Sequence, residues 1–350
     1  MFVPIAIAVE RLAPQQRVAA FVAASIAIIP LAAGLGRTTE QLAGKTGAGL
    51  GGLLNATFGN AAEMIIGIVA LRGGLDEVVK ASITGSIVGN LLLVLGAALL
   101  GGGLRYPTQT FNAAAARTRT TMLLLAAAAL IAPAGYEYLT GGRDPSHERS
   151  FSLEVSIVLI FSYLLGLVFA LRTHRELFAG HTAEVATLEE EGTPSPSGIH
   201  LVATLALLSA LIAWMSDILV GSVEPVAMRL GITDVFVGVI LVSIVGNAAE
   251  QSTAVVMATK NRMDLALSIT VGSSTQIALF VAPVLVIASY LVAPHPMNLV
   301  FKPAEILAVT FSIVIAGQIC GDGESNWFEG MQLLAVYAIA ALFFYFLPAA

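Results

Sequence analysis

Apolar runs of about 20 residues recur along this chain, each long enough to cross a hydrocarbon layer of about 30 Å as a helix. The opening run, residues 2–9, is too short for that and reads as a short helix: either a stub or the end of a span begun upstream. Spans follow at about Val18–Leu35, Gly47–Leu71, Ala81–Leu100, Thr121–Tyr138 and Leu153–Leu171, with Arg37–Lys45 as a polar link after the first. The second of these is rich in glycine and carries Asn55, Thr57, Asn60 and Glu63. In the third, Ser82, Ser86 and Asn90 stand at i, i+4 spacing and form a polar stripe on one helix face.

Between Arg172 and Ser197 the pattern breaks into a polar stretch with Glu184, the triplet Glu189-Glu190-Glu191 and a Pro/Ser/Gly run, a solvated linker. Five more spans then fall near 200–220, 232–258, 264–292, 303–320 and 329–347. The halves also match in detail. Gly59-Asn60-Ala61-Ala62-Glu63 returns as Gly246-Asn247-Ala248-Ala249-Glu250, and Ser82-Ile83-Thr84 returns as Ser268-Ile269-Thr270. Gly85-Ser86 returns as Gly272-Ser273 after a one-residue slip. An odd number of spans per repeat turns the second copy upside down, a recurring plan of secondary transporters, with the substrate site at the midplane between halves. The expected architecture is an all-α integral membrane protein with 10–11 transmembrane helices. Its parts are a short N-terminal helix (1–17), a first five-helix repeat (18–172), an acidic linker (173–199) and an inverted second repeat (200–350).

Composition agrees with this picture. Hydrophobic residues make up 57% and charged ones 11%, well below the roughly 25% of a soluble domain. The lone Cys320 excludes a disulfide framework and reads as a packing residue. A net charge of −6 gives no reason to invoke nucleic acid, and the first apolar stretch lacks a signal-cleavage pattern. Lys and Arg divide nine to eight between the two sides, which does not decide orientation.

The chemistry concentrates in the duplicated motif. A Glu in mid-bilayer costs several kcal/mol unless it finds a cation, a proton or a polar lining, and this chain places two there in the same context. Asn60 and Glu63 share a helix face, as do Asn247 and Glu250. Two apposed carboxylates among amide and hydroxyl oxygens suit a hard divalent cation such as Ca²⁺. Glu63 and Glu250 would supply charge; Asn60, Asn247, Ser86, Ser273 and Gln276 would supply or orient neutral oxygens, and Asn90 would line the path. Without a cation, repulsion and poor solvation favour proton uptake by the same oxygens. A site that loses one ion only by accepting the other is an exchanger. Structural glue is the plainer account of an intramembrane Glu, but neither has a Lys or Arg beside it in sequence, or an obvious one in another span. Ser86, Ser273 and Asn90 could equally serve helix packing. All five histidines fall in loops or at span ends, so no intramembrane histidine site for a metal is available.

These stretches resemble the Ca²⁺/H⁺ exchangers of the calcium/cation antiporter superfamily over essentially the whole chain after about residue 18. The resemblance is carried by Leu53-Leu54-Asn55-Ala56-Thr57-Phe58-Gly59-Asn60-Ala61-Ala62-Glu63, by 85–96, by 245–250 and 272–277, and by the loop 321–330. It implies that Glu63 and Glu250 bind Ca²⁺ and protons in turn and that there are eleven spans. It further implies a cytosolic amino terminus and acidic linker, and a prokaryotic-type plasma-membrane protein. Ca²⁺ and H⁺ are then the transported ions, with no cofactor, the lipid bilayer as surroundings, and a homo-oligomer as a compatible assembly. The alternatives are exchange against Na⁺ or of a broader set of divalent ions (Mn²⁺, Cd²⁺), an intramembrane enzyme, and a channel. Alanines precede each Glu where a sodium-coupled relative would need further ligands. No protease-type His-Glu-x-x-His stands in the sequence, and a channel needs weaker binding than this dyad gives.

Overall fold

The computed structural model describes residues 2–46, 48–177 and 196–347, almost all of them helical. The opening run forms α1 (Phe2–Leu12), and α2 (Arg17–Thr46) follows. The expected polar link Arg37–Lys45 is no loop: it is the last turns of α2. Thr38 and Thr39 return their hydroxyls to the carbonyls of Gly34 and Leu35 at 2.7 and 2.9 Å, which lets polar residues continue the helix. Hydropathy marked where the apolar layer ends, not where the helix ends.

The apolar run 47–71 is divided at the first motif into α3 (Ala48–Phe58) and α4 (Ala61–Arg72). The third span is one rod, α5 (Asp76–Val88) and α6 (Leu95–Gly103) joined by a π-helical stretch, Gly89–Val94. Next come α7 (Ala113–Thr140) and α8 (Pro145–Val168), the latter extended by π-helical Phe169–Thr173. The acidic residues 178–195 lie outside the described residues.

The second half holds α9 (Gly198–Val220), a short α10 (Val223–Leu230) and α11 (Asp234–Phe236), then π-helical Val237–Val242 running into α12 (Ser243–Thr259). After it come α13 (Met263–Gln276), π-helical Ile277–Val281, α14 (Ala282–Val292), α15 (Pro303–Ile319) and α16 (Trp327–Phe346). Seven of the described helices are long and apolar enough to cross a membrane, and Asp234–Ala248 with Glu250–Thr259, bent by 67°, makes an eighth. The broken α3/α4 pair and the 17-residue apolar α15 fall where two of the other expected spans were read.

Hydrogen bonds sort the loops into two ends. At one, Gln109–Thr110 pairs as a short antiparallel ribbon with Glu324–Ser325, Gln109 Nε2 donates to the Ala258 carbonyl at 2.9 Å, and Asn112 Nδ2 donates to the Leu177 carbonyl at 3.2 Å. Lys45 donates to Pro196 there, so the flanks of the linker lie at this linker end. At the far end, the Leu299 amide donates to Ser152 Oγ at 3.0 Å and Lys302 Nζ lies 3.1 Å from Glu77. α2 therefore runs toward the linker end and its counterpart α9 runs away from it, so the second half is inverted. The halves meet most closely at Gly85. A Cβ there would lie 1.9 Å from the Val239 carbonyl oxygen and 2.7 Å from Ser243 Oγ, which leaves α5 and the stretch before α12 in backbone contact.

Candidate functional site

The break in the first motif leaves Asn60 in the N-cap position of α4, where asparagine usually bonds its own helix; here it does not. Its side chain reaches into the other half instead. Asn60 Nδ2 donates to Gln276 Oε1, and Asn60 Oδ1 accepts from Ser273 Oγ at 2.9 Å. The second motif answers in kind. Asn247 Nδ2 donates to Ser86 Oγ at 2.9 Å and to the Ser243 carbonyl at 2.9 Å. Asn90 Nδ2 lies 3.5 Å from Asn247 Oδ1. Each asparagine is thus held by residues of the opposite half, and all six predicted neutral residues are in contact. An amide sealed from water needs such partners, since leaving one unpaired costs about 1–3 kcal/mol.

Each acid lies beside the opposite half: Glu63 at Gly246 and Glu250 at Ser273. Glu63, in the first turn of α4, lies across the backbone of Gly246: a Cβ added there would be 3.5 Å from Glu63 Cγ and 3.6 Å from Oε1. A larger residue at 246 would crowd the carboxylate. Glu63 also feels the charge of Glu250. Glu250 interacts with the Ser273 hydroxyl and keeps a buried oxygen, Oε2, without any hydrogen-bond partner. An unpartnered oxygen on a buried carboxylate is costly as it stands and available to a cation or a proton. The carbonyls in the last turn of α3 end beside the break, and half-helix carbonyl ends of this kind meet cations in transporters.

A narrow cavity of about 20 Å³ leads from Glu63 toward the far end, room for one or two waters. Ser82 and Ser86 are its polar lining; Val79, Val220 and Val223 close it with apolar surface. Three further participants were not among the candidate site residues, although Ser82 belongs to the polar stripe read on the third span. Ser243 holds Asn247 through its carbonyl, and Ser82 lines the same cavity as Glu63. Glu40, on the part of α2 read as a link, lies close enough for its charge to act on Glu250. Only the continuation of α2 as a helix would have revealed it. Among the described residues no three His, Cys, Asp or Glu side chains gather into a resident metal site.

Residues 17–172 and 200–346, the two halves on either side of the linker, match the family described as sodium/calcium exchanger protein. The chain is 46% identical over 344 residues to a Ca²⁺/H⁺ antiporter of Synechocystis sp., covering 94% of this chain and 91% of that protein. It is 45% identical to the Ca²⁺/H⁺ antiporter ChaA of Bacillus subtilis over 324 residues, covering 92% and 90%. Among solved structures, native YfkE superposes with a TM-score of 0.83 at 39% identity, covering 99% of this chain and 97% of that one. An H⁺/Ca²⁺ exchanger, CAX, shares the fold at a TM-score of 0.68 and 12% identity, covering 98% and 89%.

Proposed function

Because the chain belongs to the sodium/calcium exchanger protein family, a family of transporters rather than enzymes, we propose that it moves Ca²⁺ across a membrane in exchange for protons. The observation that carries this reading is the convergence of two identical motifs from inverted halves, whose glutamates lie close enough for charge to act between them and whose asparagines are hydrogen-bonded across the interface. Two carboxylates give the charge a divalent cation requires, and the same oxygens hold protons when it leaves. The names of the close bacterial relatives support the ion pair.

The mechanism follows from competition. Ca²⁺ displaces protons from Glu63 and Glu250 because a cation and a proton cannot occupy one carboxylate oxygen together. Asn60 and Asn247, locked to Ser273, Gln276, Ser86 and Asn90, hold each acid's backbone in place and offer amide oxygens beside it. Neither the empty nor the unprotonated pair is comfortable in a dry interior, so the site changes its exposed side only when loaded, and transport is coupled exchange. The apolar closure toward Val220 and Val223 supports a state shut at the far end. We place the linker and the amino terminus in the cytosol of a plasma-membrane protein, with repeats at 18–172 and 200–350 joined by 173–199.

Inside-out vesicles test this. Radiolabelled Ca²⁺ should enter under a pH gradient without Na⁺ or ATP. Uptake that needs a Na⁺ gradient instead would assign the sodium-coupled reaction, and the proton reading would fall.

A further inference from the structure

Away from the motifs, the far end holds a second group of buried ionisable residues. Lys80, only 5% exposed, donates to Asn298 Oδ1 at 2.8 Å and to Glu77 Oε1 at 3.2 Å. Glu77 Oε2 lies 3.1 Å from Lys302 Nζ at the half-exposed surface. One layer further in is Glu305, 2% exposed, in the first turn of α15. Its Oε2 accepts the Lys302 backbone N–H at 2.9 Å, and its Oε1 meets the Thr84 hydroxyl at 3.4 Å. Among the described residues it takes part in no ion pair, because both lysines are engaged by Glu77 and Asn298.

An ionised carboxylate has about four lone-pair sites, and here two donors serve them, one at long range. A surface capping carboxylate would complete its shell with water; this one is closed off. Thr84 gives it a second arrangement. Other threonines in this chain, Thr38, Thr39, Thr118 and Thr120, turn their hydroxyls onto the carbonyl four residues back. With Thr84 turned toward the Lys80 carbonyl in that way, its oxygen is free to accept an O–H from a protonated Glu305. Both protonation states therefore have a hydrogen-bond pattern at hand. The charged groups facing Glu305 are Glu77 and Lys80 on α5 and Lys302 at the cap of its own helix.

The inverted counterpart of this junction argues against a purely architectural role. At the linker end Asp264, in the first turn of α13, accepts from the Asn112 amide at 2.8 Å, as Glu77 in the first turn of α5 binds Lys302. Yet the first turn of α7, the counterpart of α15, is Ala113 to Ala116 and carries no acid. A brace needed by the fold would appear at both ends; the buried acid appears at one. Thr84 also stands two residues before Ser86, the partner of Asn247, so α5 links this junction to the cation site.

We propose that Glu305 is a third proton-binding carboxyl, separate from the cation site and loaded from the far end, through which pH on that side acts on transport. The transport arm of its test rests on the proposed Ca²⁺/H⁺ exchange; the spectroscopic arm does not. Glu305→Gln keeps the shape and the acceptor of the capping box and removes the proton site. Infrared difference spectra of the full-length purified protein across a pH titration, without Ca²⁺, should lose one titrating carboxylic C=O band in Glu305→Gln. Ca²⁺ uptake by reconstituted vesicles should lose much of its dependence on far-side pH while keeping its dependence on linker-side pH. Thr84→Val retains the acid and deletes its partner, so the band should remain and shift. A Glu305→Gln spectrum with every parental band still present would reduce Glu305 to a helix cap. Should that variant fail to fold, an unshifted band in Thr84→Val overturns the proposal. Should neither protein take up Ca²⁺, the exchange reading fails, and the infrared result still decides this one.

Discussion

The two halves carry the same motif and use it differently. In the first, the chain breaks at Gly59 and Asn60, and Asn60 engages Ser273 and Gln276 through both ends of its amide. In the second, the span bends by 67° between Ala248 and Glu250, and Asn247 is shared among Ser86, Asn90 and its own Ser243 carbonyl. Glu63 rests on Gly246, whereas the nearest neighbours at Gly59 are the Asn55 carbonyl and Gln276 Oε1. An identical five-residue motif thus adopts two conformations. An inverted pair that opens one end at a time needs its halves in unlike shapes, and under the proposed exchange cycle they would trade those shapes.

The largest effect should fall equally on both halves. Glu63→Gln or Glu250→Gln should each reduce Ca²⁺ uptake under a pH gradient to the vesicle background, with insertion and melting temperature little changed. Near-normal uptake by either one would mean that a single acid does the charge work. The glycines sharpen the contrast next. Gly85→Ala places a methyl 1.9 Å from the Val239 oxygen and should cost about 4 kcal/mol or more, visible as lost folded protein on gel filtration. Its counterpart Gly272 has nothing within 4 Å, so Gly272→Ala should be neutral or stabilise by up to about 1 kcal/mol in thermal melts. Equal melting shifts would show that the closeness of the halves at Gly85 is misjudged.

Smaller effects should follow from the amides. Asn60→Ala strips partners from both Gln276 and Ser273, and Asn247→Ala does so from Ser86. Each should weaken Ca²⁺ binding by about 1–3 kcal/mol, roughly five- to 150-fold by equilibrium dialysis. Asn90→Ala, whose contact is 3.5 Å, should cost less than either. Least of all should follow from deleting residues 184–192. Uptake should persist, altered at most in its dependence on Ca²⁺ at the linker side, and complete loss in an inserted protein would mean the acidic stretch belongs to the transport machinery.

Much of this site was legible before any coordinates. Glu63, Glu250 and their six neutral companions announce themselves because polar residues duplicated inside apolar runs are costly without a use. Which asparagine meets which serine was not legible, since Asn60 bonds residues more than 210 positions away in the opposite half. The broken helix at Gly59 was hidden because apolar residues continue on both sides of it. Glu40 was hidden by the reverse effect, a polar stretch taken for a loop that is still helix. Glu305 falls inside the expected span 303–320 with nothing in the sequence to single it out; only its burial beside Thr84 sets it apart.

Under the proposed cycle, protons and Ca²⁺ compete for Glu63 and Glu250. If so, lowering pH weakens Ca²⁺ binding, and binding near neutral pH expels protons from the carboxyls. The pair titrates jointly, so the count belongs to both residues together. Calorimetry of Ca²⁺ binding in buffers of different ionisation enthalpy measures that count directly. The account predicts clear proton release by the parent chain, reduced in Glu63→Gln and Glu250→Gln wherever binding survives. Tight Ca²⁺ binding with no protons released would contradict it.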